Sequence, residues 1–165
     1  MNELSIRWMI RRDMAEILDI ESDVFDDPWP EEDFIRTLRR RNCIGMVAEQ
    51  CNKVVGYMVY ELHKSSIGVL NFAVHRKAWR QGIGTSMIEK LVKKLSPQRR
   101  RNVVLRVREA NLDGQLFFRS CGFVATGIDA DYYVTEAGLP ESAYRMVLTA
   151  RAFESQCRRV RSTTI

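Results

Sequence analysis

The chain has 165 residues, 45% apolar and 28% charged, with 26 Lys and Arg against 21 Asp and Glu. That length suits one domain whose core holds without staples, and no run approaches the ~20 apolar residues of a membrane span. Cys43, Cys51, Cys121 and Cys157 form no CxxC pair and His63 and His75 lie apart, which argues against a zinc site and a disulfide framework and for a reduced cytoplasm.

The opening residues, MNELSIRWMIRRDM, lack an apolar h-region and contain acids, so no signal peptide is expected. Within them LSIRWMI reads as a short strand. Asp13 is placed to cap a helix carrying Met14, Ile17, Leu18 and Glu21. DDPWPEEDFIRTLRRR starts a second helix, with Pro30 tolerated in its first turn and acids near its N-terminus. IGMVAEQ and KVVGYMVYELH are β-rich and joined by the turn CNK. IGVLNFAVH is a nearly continuous apolar run, as in a strand buried on both faces. Ile83, Met87, Leu91 and Leu95 recur every four residues beside Ile88 and Val92, one wide helix stripe. VVLRVRE is another strand, and NLDGQLFFRSCGF a short helix stopped at Gly122. FVATGID and AYRMVLTA close the sheet. RAFESQCRRVRSTTI is a basic tail expected to fray.

The elements run β-α-α-β-β-β-α-β-α-β-β. They predict an α/β (α+β) fold: a mixed, mostly antiparallel sheet of about seven strands with helices on both faces. One domain over residues 1–150 and a tail over 151–165 are expected. Strands 44–62 and 67–75 should pair antiparallel, and the strand–helix–strand unit from 67 to 109 should be a right-handed crossover.

Residues 76–91, RKAWRQGIGTSMIEKL, leave the apolar strand and enter the striped helix. Free backbone N–H groups and the positive end of the helix dipole meet there, and glycines let an anion approach. That is the physics of a phosphate site. Neither G-x-x-x-x-G-K-[ST] nor G-x-G-x-x-G is present. By spacing alone, a glycine-containing turn ahead of a core helix explains the stretch as well.

Four pieces together are more specific: DDPW at 26–29, NFAVHRKAWRQGIGTSMIEKL at 71–91, LRVREANLDGQLFFRSCGF at 105–123 and DYY at 131–133. With them the chain, from about residue 4 to about 149, resembles the GCN5-related N-acetyltransferases, and among those the RimI-type acetyltransferases of ribosomal-protein N-terminal alanine. The resemblance implies acetyl-CoA as cosubstrate, no metal, and direct acetyl transfer to an amine. It places Phe72, Ala73 and Val74 along the pantetheine arm. The turn Arg80, Gln81, Gly82, Ile83, Gly84 and Thr85 falls on the pyrophosphate, and Asn111 and Phe118 on the far side of the cofactor. The pattern Q/R-x-x-G-x-G/A lands on Trp79 to Gly84, with Trp79 in the first slot. Arg76, Lys77 and Arg80 are placed for the ribose phosphate, or form a solvated basic loop.

The catalytic positions depart from the pattern. The RimI-type base position is Arg106, its acid position is Phe118, and an earlier position used by other relatives is Gly68. Three explanations stand open: a water held by backbone carbonyls and a polar group such as Asn71; Tyr132, Tyr133 or Glu61 instead; or a CoA-binding protein that catalyses little. An α-amine, with a pKa of ~8, is roughly a tenth neutral at pH 7, against under ~0.1% of a lysine amine. Missing acid–base groups therefore point to an α-amine or weakly basic acceptor, or to low activity.

By the same resemblance Phe25, Trp29 and Tyr132 wall a slot for a peptide N-terminus and Asp26 and Asp27 attract an ammonium. Phe25 and Trp29 serve equally as packing between helices. Tyr132 and Tyr133 are neighbours and should point to opposite faces of a strand. The expected function is acetylation of a protein N-terminal α-amine, a ribosomal protein among the partners, by a cytoplasmic monomer or homodimer. A small-molecule amine is the alternative acceptor. No membrane role is expected, nor a primary nucleic-acid function, because no basic stripe is interleaved with aromatics.

Overall fold

The computed structural model describes residues 3–162. The elements in order are β1 (Leu4–Trp8), α1 (Met14–Val24), α2 (Glu31–Leu38), β2 (Cys43–Gln50), β3 (Lys53–Leu62), β4 (Ser66–Val74), α3 (Ile83–Val92), β5 (Asn102–Arg108), α4 (Leu112–Cys121), β6 (Val124–Val134), β7 (Pro140–Thr149) and α5 (Ala150–Ser162). The architecture is the expected mixed α/β class, with a seven-stranded, mostly antiparallel sheet and five helices. The chain forms two compact units, residues 3–62 with 69–87 and residues 63–68 with 88–162.

In the first unit β1 pairs antiparallel with β2 and β2 with β3, Cys43 lying opposite Glu61. The β2–β3 turn rests on Cys51 and Asn52, both at positive φ (53° and 62°), as a two-residue hairpin loop with the twist of its strands requires. Ile17, Ile20, Phe34, Val47, Tyr57 and Val59 fill the core beneath it. Asp13 departs from the expected cap. Its side chain makes no bond to the start of α1. It accepts instead from the Ile10 amide at 2.8 Å and from both Arg7 η nitrogens at 2.8 and 2.9 Å. A short 3-10 turn at Arg11–Asp13 precedes α1, so the free amide in reach of Asp13 is the one ahead of that turn.

In the second unit the strands follow in the order β5-β7-β6, both pairs antiparallel. Val103, Leu105 and Val107 of β5 and Met146 and Leu148 of β7 are buried, the alternation of a strand with one covered face. α4 ends where expected, at Gly122, with φ 106°. A Cβ there would also lie 2.9 Å from the Ala152 carbonyl of α5. The tail expected to fray is this helix. Thr149 Oγ1 accepts from the Ala152 amide at 3.1 Å, an N-cap, and Phe153 is buried. α3 buries Ile83, Met87, Ile88, Leu91 and Val92 of the predicted stripe, but it ends at Val92, so Leu95 lies beyond the helix and is only half-buried.

Candidate active site

β4 hands over to α3 through a short 3-10 turn, Arg76–Ala78, and a loop in which Arg80 (φ 62°) and Gly82 (φ 78°) are left-handed. The first helical bond of α3 is from the Ser86 amide to the Gly82 carbonyl, 3.0 Å. The amides of Ile83, Gly84 and Thr85 lie ahead of it and lack helical acceptors. A Cβ on Gly82 would meet nothing within 4 Å, so the turn is open on that side. Trp79, the departure from the pattern, braces the turn, its indole Nε1 donating to the Val74 carbonyl at 2.6 Å. Arg76 faces the end of α1. Its Nε donates to the Asp23 carbonyl at 2.9 Å and its Nη2 to the Val24 carbonyl at 3.3 Å, a cation on helix C-terminal carbonyls. The side chains of Lys77 and Arg80 make no such bond among the described residues.

Sequence reasoning passed over one residue of the same unit. Glu21 follows Ile17 by four positions on the buried stripe of α1 and is 1% exposed. Its Oε1 accepts from the Trp29 amide at 2.8 Å and from Asn71 Nδ2 at 3.1 Å. Its Oε2 accepts from Asn71 Nδ2 at 3.0 Å and from the Tyr57 hydroxyl. Burial raises its pKa to about 7, against the lowering effect of the Trp29 amide and Asn71. The desolvation of the charged form outweighs two bonds to it. The aromatic rings that exclude water here run in series: Trp29 stands edge-on to Phe34 at 5.2 Å, and Phe34 to Tyr57 at 5.7 Å. Asn71, half-buried on β4, connects this pocketed carboxyl to the strand at Phe72, Ala73 and Val74. The sequence signal was present: an acid at i+4 on an apolar stripe must be buried or break the stripe.

In the second unit, Arg106 is fixed by others. Its Nε donates to Asp129 Oδ2 at 2.7 Å, and Arg145 donates to the same carboxylate. The two guanidiniums hold Asp129 below the usual carboxylate range, Arg145 most strongly. The Arg106 guanidinium lies 4.9 Å from the Tyr132 ring, and that of Arg108 4.1 Å from Tyr133. Since residues 106 and 108 share a face of β5, both tyrosines cover that face, with rings 4.9 Å apart. The expectation that they diverge fails because β6 bulges between Asp129 and Tyr133, with Asp131 at φ 54°; a bulge interrupts the alternation. Tyr132 is 50% exposed. Tyr133, its hydroxyl donating to the Arg106 carbonyl at 3.3 Å, has its pKa pushed by burial up to about 12.

The other expected site residues are placed as follows. Asn111 caps α4, its Oδ1 accepting from the Gly114 amide at 2.9 Å. Phe118 is buried between Phe117 and Phe123, 5.3 Å from each. Glu61 is paired with Arg40. Phe25 and Trp29 pack against the first unit's core. His75, given no role above, accepts through Nδ1 from the Lys77 amide at 3.2 Å.

A model of the acetyltransferase (GNAT) family matches residues 14–123. The chain belongs to that family. Among curated relatives, the [ribosomal protein bS18]-alanine N-acetyltransferase of Escherichia coli K12 is 25% identical over 126 residues, 76% of this chain and 84% of that one. The crystal structure of the E. coli ribosomal-protein-S18-alanine N-acetyltransferase shares the fold, with TM-score 0.77, 24% identity, and coverage of 90% of this chain and 94% of that one. So does Arabidopsis thaliana NAA60 in complex with acetyl-CoA, with TM-score 0.75, 16% identity, and coverage of 89% and 98%. As a GNAT protein this chain is an N-acetyltransferase with acetyl-CoA as cosubstrate. Among the described residues no cluster of three or more His, Cys, Asp or Glu is arranged to hold a metal, and no helix is long and apolar enough to cross a membrane.

Proposed function

We propose that this GNAT enzyme acetylates the N-terminal α-amine of a protein, with Glu21 as the group that takes up the amine's proton. The observation that carries this is the buried carboxyl of Glu21, held near pKa 7 by burial and fixed by Trp29, Asn71 and Tyr57. An α-ammonium has a pKa of ~8, so passing its proton to Glu21 is uphill by about one unit, ~1.4 kcal/mol. A lysine ammonium at ~10.4 is uphill by more than three units, over ~4 kcal/mol. Glu21 is thus matched to an α-amine and mismatched to a lysine.

Acetyl-CoA supplies the activated acetyl group as a thioester. The turn from Arg80 to Thr85 fits its pyrophosphate, because Gly82 leaves the approach open and three amides precede the helical ladder. Lys77 and Arg80 add unpaired positive charge beside that turn. Phe72, Ala73 and Val74 lie on the strand assigned to the pantetheine arm, with the Val74 carbonyl accepting from Trp79. Asn71 hands the position of Glu21 to the strand that carries the arm. Arg106, charged and bound to Asp129, takes no proton. The likeness to bS18-alanine and NAA60 acetyltransferases supports a protein N-terminus, a ribosomal protein included, as acceptor.

The test is a library of peptides with varied N-termini, incubated with acetyl-CoA and read by mass spectrometry. Acetylation at the α-amine is expected, with internal lysines unmodified. Acetylation confined to polyamines or aminoglycosides, with every peptide unmodified, would refute the reading.

A further inference from the structure

A cavity of about 740 Å³ opens in the second unit between the loops at 63–66 and 96–101 and the start of β5. Its donors come from Lys64, Arg99, Arg101, Ser65, Ser66 and Asn102, and none of the residues lining it is acidic. Lys64 and Arg99 make no ion pair or hydrogen bond through their side chains among the described residues. Arg101 uses only its Nε, on the Pro97 carbonyl at 3.2 Å. The walls are tied together rather than loose. The Arg101 amide donates to the Ser65 carbonyl at 3.0 Å, and Arg100 Nε donates to the His63 carbonyl at 2.8 Å. The Ser96 amide closes the second loop on the Arg100 carbonyl at 2.7 Å.

Charge is distributed unevenly along the chain. The second unit carries 15 Lys and Arg against 8 Asp and Glu, a net +7; the first carries 11 against 13, a net −2. The segment Lys93–Arg101 alone has five basic residues and no acid. Unpaired cations gathered in a cavity without a carboxylate select for an anion. Lys, Arg, Ser, Asn and Gln side chains are the set that contacts phosphate and sugar oxygens of nucleic acids. Val104 is the one apolar residue in the lining, so there is little for the side chains of an acidic peptide to bury against. No aromatic lines it either, so bases find no stacking platform.

We propose that this cavity is an accessory site for the phosphodiester backbone of a nucleic acid, bound without sequence preference. It contains none of the residues assigned to acetyl-CoA or to proton transfer, and it stands whether or not the acceptor is a protein N-terminus.

The test uses a fluorescein-labelled 12-nucleotide uridine RNA and a thymidine DNA of the same length, followed by anisotropy from 50 to 200 mM salt. Three phosphate contacts predict a log–log slope of about −2, a roughly 20-fold loss of affinity across that range. The double variant Lys64→Glu, Arg99→Glu should keep the melting temperature and lower the slope to about −0.7, leaving a roughly 3-fold salt effect. Lys64→Gln, Arg99→Gln removes the same two contacts and should give the same slope of about −0.7, with a smaller loss of affinity at fixed salt than the charge reversal. An equal two-charge reversal on α5, Arg158→Glu with Arg161→Glu, should leave the slope near −2. No binding of either oligonucleotide would overturn the proposal, as would an equal loss from the α5 variant, which would mean net charge alone. Displacement of RNA by polyglutamate at equal charge would assign the site to an acidic protein instead, and by inorganic pyrophosphate at equal phosphate to a small anion. Either outcome overturns it.

Discussion

Replacing Glu21 by Gln keeps the side chain's shape and an acceptor for the Trp29 amide, but removes the titration. The wild-type carboxyl has an ordinary pKa of 4.5 when unfolded and about 7 in the folded chain. A difference of about 2.5 units corresponds to roughly 3 kcal/mol, with little solvent discount because the residue is 1% exposed. The folded pKa is the higher one. The stability contributed by the neutral carboxyl is therefore complete below about pH 4.5 and is lost as pH rises through about 7, where folding must bury a charge. Relative to Glu21→Gln, wild type should thus lose roughly 3 kcal/mol between pH 4.5 and 8, along a slope of ~1.4 kcal/mol per pH unit. Urea unfolding followed by tryptophan fluorescence at half-unit pH steps measures this. Taking the difference between the proteins cancels other groups that titrate in the window. The rate should echo it: kcat/KM of wild type rises through about pH 7, and that limb should disappear in the variant. Parallel stability curves would show that the Trp29, Asn71 and Tyr57 bonds restore an ordinary pKa, and the proton-accepting role of Glu21 would fall with it.

Gly82→Asp should abolish acetyl-CoA binding, since it strains a residue at φ 78° and sets a carboxylate where the pyrophosphate is to sit. At ~100 times Kd the ligand stabilises wild type by ~2.7 kcal/mol, a melting shift of about 5–10 °C, and the variant should show none; an unchanged shift would place the pyrophosphate elsewhere. Gly122→Ala should destabilise the fold by at least ~1–2 kcal/mol, from its left-handed backbone and the Ala152 carbonyl 2.9 Å from the new Cβ; denaturation reads this, and an unchanged midpoint would show that α5 is not seated there. Arg106→Glu should forfeit ~0.5–1 kcal/mol of ring contact with Tyr132 and leave the acetylation rate no higher. A rate increase would assign the base to position 106 rather than Glu21.

Most of the fold was legible because its elements announce themselves locally. The α3 stripe, the left-handed Gly122 and the CNK turn each follow from one helix turn or one hairpin loop. The features misread depend on a residue outside that window. Asp13 looked like a cap for α1, but Arg7 and the Ile10 amide were better placed to claim its carboxylate. The α5 helix was hidden in a segment read as charge alone, when Thr149 as N-cap and Phe153 as anchor were its markers. Tyr132 and Tyr133 were assigned to opposite faces by alternation, and no residue of the strand itself signals a bulge except the tolerance of Asp131 for positive φ.

The catalytic question was hard to read for a related reason. Positions 106 and 118 draw the eye because they hold a cation and a phenyl ring where acid and base groups are expected. Neither is available for proton transfer: Arg106 is held by Asp129, and Phe118 is core. The group with a proton-accepting pKa in the first unit lies on α1, where its place on the apolar stripe is legible in sequence but its bonding partners are not. A carboxylate left on an apolar stripe is costly unless bonded, and Glu21 takes bonds from a loop amide, a β3 tyrosine and a β4 asparagine. Those three elements converge there only after folding. Trp79 makes the same point in reverse: it breaks the expected pattern in sequence, yet in the fold its indole ties the loop ahead of α3 to the end of β4. At the head of α3 the same loop leaves the Gly82 side open and the amides of Ile83, Gly84 and Thr85 without helical acceptors, the features on which the proposed pyrophosphate site rests.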